Sequence, residues 1–479
     1  MTSQASLSVT AETQENTLTE VFSLQKSAFQ ITPYPSLTER KHTLQLLHRL
    51  LVNHQQNIID AINNDFGLRS SDESRIAEII PSLQAIHYTL KRLPRWMKPK
   101  RRHVSWQLQP ASCKILYQPL GVAGIMVPWN YPLFLAVSPL VAALSAGNRA
   151  MVKMSEYTPH TAELFKQLIT DNFPEDLISV ITGNADIAIQ FSQLPFDHLL
   201  FTGSTQTGKK VMQAAANNLT PVTLELGGKS PTIIAPDYPI NEAAKRICFG
   251  KSLNAGQTCV APDYILLPEN QLNLFIDAFT AHFQQMYPDF AHNSSYSHII
   301  NDRQFQRLQQ GLVDAQQKGA KIINVSDFAP DATTRRFPIH LVTHTNESML
   351  ICQEEIFGPI LPLITYSTIE QAISFVNQQP RPLALYLFSH EQDLHDKVLV
   401  NTHSGGVCLN ETLLHVAVDD LPFGGVGPSG MGHYHGQEGF QTFSQAKSIL
   451  KKGRINSTQF IYPPYKNKAI NWLYKLLLR

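Results

Sequence analysis

Little in this chain is in excess, and what it lacks already narrows its chemistry. Five cysteines in 479 residues, at positions 113, 248, 259, 352 and 408, are too few and too scattered for a disulfide framework. No C-x-x-C pair occurs, and His433-x-His435 has no third ligand at metal-site spacing, so no metal centre is expected. An odd cysteine count fits a reducing compartment. Long hydrophobic runs are missing: the most apolar stretch, Pro132–Gly147, is interrupted by Pro139 and two serines and is too short to span a bilayer. Residues 1–20 hold no basic segment followed by an apolar core, so they do not read as a signal peptide. These signs predict a soluble, cytoplasmic protein. Charge of one sign is missing too. With 39 Lys plus Arg against 38 Asp plus Glu, nothing electrostatic points to nucleic acid. No G-x-S-x-G occurs, which removes the serine hydrolase reading.

What is present is ordinary globular material, 43% hydrophobic and 16% charged, long enough for two or three domains. The polar start reads as a frayed tail. The first clear helix is expected at Ser36-x-x-Glu39, a capping box followed by Leu44, Leu47, Leu51, Ile58 and Ile62 at helical spacing. The basic run Lys98–His103 reads as a solvated face, and Val104–Tyr117 as a hairpin. From Leu120 onward strands and helices alternate. Strands are expected at Val122–Val127, Arg149–Lys153, Ile178–Thr182 and His198–Thr202, and helices at Pro139–Ser145, His160–Asn172 and Thr207–Asn218. A second run follows: Thr232–Ala235, a helix near Asn241–Cys248, Tyr264–Leu267 and a helix at Asn270–His282. Alternation of this kind predicts parallel sheets covered by helices. The Gly- and Pro-rich segment 421–430 reads as a long functional loop rather than a third core. At the C-terminus, Ala469, Ile470, Leu473, Leu476 and Leu477 form one helical face among lysines. Docking on its own protein or a partner subunit is the expected use, with interfacial membrane contact the lesser alternative.

Five short segments carry chemistry. Phe201-Thr-Gly-Ser-Thr-Gln-Thr-Gly208 joins a strand to a helix, with Gly203 and Gly208 at the outer positions of G-x-G-x-x-G and Ser204 between them. Thr205 replaces the middle glycine that lets a diphosphate touch backbone, so spacing alone favours a structural turn. Lys153 and Glu156, at the end of a strand, could hold ribose hydroxyls or stand as surface residues. Asn254-Ala-Gly-Gln-Thr-Cys259 puts a cysteine in a polar turn, as a nucleophile needs, although a structural thiol is as good a reading. Glu225 lies in an apolar run, where burial would raise its pKa and suit it to act as a general base, or where Lys229 would pair with it. Asn130, in Val127-Pro-Trp-Asn-Tyr-Pro132, is either a turn former or an amide donor to an oxyanion.

Together these segments resemble the aldehyde dehydrogenase superfamily from about Ser36 to Lys451. Pro119-Leu-Gly-Val, Val127–Pro132, Phe201–Thr205, Leu224–Ser230, Gly256–Cys259, Glu354-Glu-Ile-Phe-Gly-Pro359 and Leu421-Pro-Phe-Gly-Gly425 occur in the family's order. Cys259-Val-Ala-Pro-Asp-Tyr264, Gly430-Met-Gly-His-Tyr-His-Gly436 and the late Tyr-Pro-Pro-Tyr are similar to the class 3 and coniferyl aldehyde dehydrogenase branch.

The resemblance implies an α/β fold with two Rossmann-like parallel-sheet domains and a small β bridging arm. It places a nucleotide-binding domain at 21–223 (with 98–118 in the arm), a catalytic domain at 224–408, a returning segment and arm at 409–450, and an extension at 451–479. It makes Cys259 the nucleophile, Glu225 the base for water and Asn130 the oxyanion donor. Trp129, Lys153, Glu156, Gly203, Ser204, Gly208, Glu355 and Phe357 become contacts to NAD, or to NADP. It implies a homodimer and a small aldehyde substrate, aromatic such as coniferyl aldehyde or medium-to-long aliphatic, oxidised to its acid through a thioester. Two alternatives stay open: transfer of the acyl group to coenzyme A, and a retired member serving as a structural or binding protein. Nothing in the sequence shows what would lower the Cys259 pKa.

Overall fold

Strands Val122–Met126, Arg149–Lys153, Ile178–Ile181, His198–Thr202 and Val222–Glu225 each carry near-continuous apolar sequence, which requires both faces to be covered and therefore parallel neighbours. The computed structural model, which describes residues 18–465 and 468–478, builds them into one sheet. Its order is 222–225, 198–202, 122–126, 149–153, 178–181, with Gly430–Met431 added antiparallel beside Val222–Glu225. The chain reverses its direction of travel between Val122–Met126 and His198–Thr202, so their carboxyl ends open a crevice. The helix Phe134–Ala146 is buried on every side, which explains its uniformly apolar sequence. Gly147 ends it at φ 93°, where an added Cβ would strike the Arg40 guanidinium.

A second sheet has seven strands, in the order 321–324, 340–343, 360–366, 264–268, 231–234, 384–388, 406–409, all parallel except the first pair. Three antiparallel strands, Lys100–Arg102, Ala111–Pro119 and Ser444–Lys452, form a separate arm. The expected α/β architecture is therefore present. The hairpin expected over 104–117 is displaced: its first strand is the basic run Lys100–Arg102, paired with Cys113–Ile115, and Trp106–Leu108 in the connection is a helical turn. The boundary expected at 224 falls inside the strand Val222–Glu225.

The N-terminal region departs from the expectation. A helix over 18–31 occupies part of the expected tail, with Leu18, Val21, Phe22 and Gln25 buried while Leu24 and Ile31 stay exposed. The capping box at Ser36 forms as expected, Ser36 Oγ accepting from Glu39 N at 3.2 Å. The segment 421–430 is a loop that ends by joining the first sheet as its sixth strand. At the C-terminus, the helix Lys468–Leu477 buries Ile470 and sets Trp472 edge-on to Trp106 of the arm at 6.0 Å, while Leu476 and Leu477 stay exposed. Among the described residues no helix is long and apolar enough to cross a membrane.

Candidate active site

The carboxyl ends of the first sheet and the segments leading into the amino ends of the central strands of the second enclose a cleft of about 730 Å³. It is walled by Trp129, Asn130, Gly203, Ser204, Glu225, Cys259, Glu355 and Phe357, residues drawn from five separate stretches of chain.

Cys259 follows a backbone that few residues tolerate. Asn254, Ala255 and Gly256 are consecutive left-handed positions, at φ 52°, 51° and 73°. A non-glycine residue there costs roughly 1–2 kcal/mol, so the surroundings must hold it. Asn254 Nδ2 donates to the Asn130 carbonyl at 3.1 Å and to the Gln257 carbonyl at 3.2 Å. Gln257 Nε2 donates to the Asn254 and His298 carbonyls, each at 3.0 Å, and its Oε1 accepts from Ile300 N. Gly256 is required for a second reason, since a Cβ would lie 2.6 Å from the Gly358 carbonyl oxygen.

Asn130 is fixed through its backbone. The buried Arg69, lying between the rings of Phe66 and Tyr131, donates to the Asn130 carbonyl at 2.9 Å and to Glu78 Oε1 at 2.8 Å. Glu78 Oε2 in turn accepts from the Leu133 and Phe134 N–H groups. Glu73 accepts from Asn254 N at 3.1 Å. Arg69, Glu73 and Glu78 thus tie the Asn130 loop to the Cys259 loop. The sequence gives no sign of this, because Arg69-Ser-Ser-Asp-Glu-Ser74 looks like a polar surface turn.

Glu225 is buried, and neither carboxylate oxygen has a hydrogen-bond partner among the described residues. Burial, with the charge of Glu355 adding to it, raises its pKa to about 8. Lys229 does not pair with it; its ammonium goes to Asp263. Glu355 is likewise raised to about 8, by burial and then by Asp263. Burial also pushes the Cys259 thiol well up, reinforced by Glu225 and Glu355 and countered by the N–H groups of Cys259 and Val260. No cation among the described residues is prominent among the groups acting on it.

Gly203 and Ser204 lead into the helix Thr205–Ala216, which Ser204 caps by accepting from Thr207 N at 3.3 Å. Thr205, in place of the middle glycine, donates its hydroxyl to the Pro428 carbonyl at 3.1 Å, which brings the 421–430 loop beside the phosphate-loop candidate. Gly208 is one step removed from the cleft: its missing Cβ makes room for Leu226. Lys153 and Glu156 do not wall the cleft. They stand at the carboxyl end of the next strand, Lys153 buried and donating to the Met154 and Gly183 carbonyls at 2.7 and 2.8 Å, Glu156 exposed.

The cleft thus gathers a thiol, an unpaired carboxylate and an amide, and a model of the aldehyde dehydrogenase family matches residues 2–449 of the chain. The chain belongs to the aldehyde dehydrogenase family. It is 54% identical to a probable coniferyl aldehyde dehydrogenase of Pseudomonas aeruginosa, over 97% of each chain. It is 37% identical to a dimeric NADP-preferring aldehyde dehydrogenase of Canis lupus familiaris, over 93% of this chain and 98% of that one. Its fold matches the substrate-bound state of Staphylococcus aureus AldH at TM-score 0.91 and 38% identity, covering 96% of this chain and 99% of that one. This aldehyde dehydrogenase is therefore an NAD(P)-dependent oxidoreductase acting on aldehydes.

Proposed function

We propose that the enzyme oxidises aromatic aldehydes of the coniferyl type, with medium-to-long aliphatic aldehydes as poorer substrates, and that Cys259, Glu225 and Asn130 perform the chemistry. The observation that carries the residue roles is the shared cleft, in which a fully buried, unpartnered carboxylate faces a half-buried thiol. Cys259 attacks the aldehyde carbon, forming a C–S bond. The Asn130 amide and the Cys259 backbone N–H hold the resulting oxyanion. When bound, an oxidised nicotinamide would supply a positive charge and an acceptor for the hydride on the adduct carbon, so that Cys259 would then carry a thioester. Glu225 then takes a proton from water, the water oxygen attacks the thioester carbon, and the C–S bond breaks to release the acid. A base poised for water favours hydrolysis over transfer to coenzyme A.

The cleft suits a dinucleotide. The N-terminus of Thr205–Ala216 presents backbone N–H groups to a diphosphate, with Gly203 and Ser204 leading into it. Glu355 and Phe357 stand where a nicotinamide ribose would lie, and the Phe357 ring sits edge-on to Trp129 at 5.3 Å. Lys153 and Glu156 lie further along the strand ends, where the adenosine ribose would reach. The exposed Glu156 carboxylate would repel a 2′-phosphate, which favours NAD over NADP. Among the described residues no strand pairs with the outer edge of Ser444–Lys452, which supports a homodimer joined through it.

The aromatic reading rests on the 54% identity to a probable coniferyl aldehyde dehydrogenase; three buried tyrosines pack near the Cys259 loop without lining the cleft. Tyr131 bonds Thr258 through its hydroxyl at 2.6 Å, Tyr386 reaches the Val260 carbonyl, and Tyr434 is close enough to feel the charges of Glu225 and Cys259. Reduced-cofactor absorbance measured on an aldehyde panel tests the reading. Coniferyl aldehyde is expected to exceed hexanal in kcat/KM by about tenfold or more, with NAD preferred over NADP; the reverse order on either axis would refute that part. Asn130→Ala is expected to lower kcat by about 100- to 1000-fold with little change in cofactor affinity, as loss of one oxyanion donor does.

A further inference from the structure

Asp263 is not part of the cleft wall, yet three segments of the site converge on it. It is buried at the entry to the strand Tyr264–Pro268, four residues past Cys259. Its two oxygens reach different segments. Oδ1 accepts from the Ile356 N–H at 2.8 Å, and Oδ2 pairs with the Lys229 ammonium. Lys229 Nζ donates onward to the carbonyls of Ile351 at 2.7 Å and Glu354 at 3.0 Å. Arg307 closes on the same segment by donating to the Ile356 carbonyl at 2.6 Å. The exit from the Cys259 loop, the turn after Glu225 and the segment 354–357 therefore meet at one carboxylate.

That segment needs holding. Glu355 presses its carboxylate against the Gly227 Cα, where a Cβ would sit 2.1 Å from Oε2. Phe357 sits at φ 45°, left-handed without being glycine. Such a conformation persists only when its surroundings over-determine it. Between the two lies Ile356, with its N–H taken by Asp263 and its carbonyl by Arg307.

We propose that Asp263 is a positioning residue for the cofactor half of the site: by holding the Ile356 N–H and, through Lys229, the Glu354 carbonyl, it presents Glu355 and Phe357 to the nicotinamide ribose. This rests on the roles proposed above for those two residues. The chemistry half is held separately. Hydrogen bonds among Asn254, Gln257, Glu73, Arg69 and Asn130 fix the Cys259 loop, and Asp263 takes no part in them. A carboxylate that merely stabilised the fold would affect both halves alike, whereas Asp263 should affect one.

The test is Asp263→Asn in the full-length enzyme, read in two ways. NAD+ affinity is measured by quenching of intrinsic fluorescence. Hydrolysis of p-nitrophenyl acetate is measured without cofactor, since an activated ester needs only the thiol, the oxyanion donors and the base. NAD+ Kd and the KM for NAD+ are expected to rise together by about tenfold or more, the effect of a lost charge-assisted contact. Ester hydrolysis is expected to stay within about twofold, and adding Glu355→Gln to the variant should weaken binding little further. Unchanged NAD+ affinity, or ester hydrolysis that falls in step with affinity, would overturn the proposal while leaving the catalytic reading intact. Glu355→Gln with wild-type NAD+ affinity would instead remove the cofactor reading on which it rests. Should Asp263→Asn fail to fold, Asp263→Glu keeps a charge for Lys229 but moves the acceptor off the Ile356 N–H; the same split is expected at smaller size, and its absence is equally adverse.

Discussion

Cys259→Ser is expected to lower aldehyde oxidation by about a thousandfold or more, while NAD+ still binds. Serine keeps the shape, so the loop built on Asn254, Ala255 and Gly256 should survive. What it loses is nucleophilicity. The Cys259 thiol is already disfavoured as an anion, because burial and two neighbouring carboxylates act on it. An alcohol begins several pKa units higher and would be hopeless in the same setting. A free aldehyde is a poor hydride donor, and only the tetrahedral adduct of a strong nucleophile makes it a good one. Turnover and NAD+ affinity measured on the same preparation separate lost chemistry from lost structure. Near-wild-type turnover in Cys259→Ser would end the proposed role.

Glu225→Gln is expected to stop the cycle one step later. The thioester should form and then persist, with steady-state turnover down by about 100- to 10,000-fold, the range of general-base contributions. Intact-mass spectrometry after mixing with aldehyde and NAD+ should show the chain heavier by one acyl group; an unmodified mass with normal turnover would count against the assignment. The pH dependence gives a second check. Burial, helped by Glu355, raises Glu225 to about 8. A raised carboxylate pKa means the neutral form dominates below that pH, and the neutral form cannot accept a proton from water. Deacylation should therefore rise with pH through an inflection near 8, instead of staying flat above 5 as it would for an ordinary glutamate. Glu355, raised similarly, is coupled to it, so the inflection belongs to the pair. In Glu225→Gln that inflection should disappear from the deacylation rate.

The first strands of both sheets were legible because they follow apolar runs, whereas the helix read at Pro139–Ser145 starts at Phe134 and the helices Ile80–Trp96 and Asp302–Gln317 were not read. The strands at 122, 149, 178, 198, 231 and 264 begin within a residue or so of where apolar runs predict them. The helix over 18–31 was not legible, since its few buried residues are spread among Ser, Gln and Glu and its stability comes from the sheet it packs on. Lys229 illustrates the same limit. Its nearness in sequence to Glu225 offered an ion pair, but strand ends turn their neighbours apart, and its partner is Asp263, 34 residues away.

What the sequence determined by itself was the inventory: one cysteine in a polar turn, one glutamate in an apolar run, one asparagine between buried elements, in an order that resembles a family. Local composition records such things, because each depends on a residue and its immediate neighbours. Which carboxylate is left without a partner, what holds three consecutive residues in left-handed geometry, and how Arg69, Glu73 and Glu78 bind the two catalytic loops were decided only in three dimensions. Those features depend on groups separated by up to 181 positions meeting in a buried, water-poor space, as Glu73 meets Asn254, where a missing partner costs far more than it does in solvent.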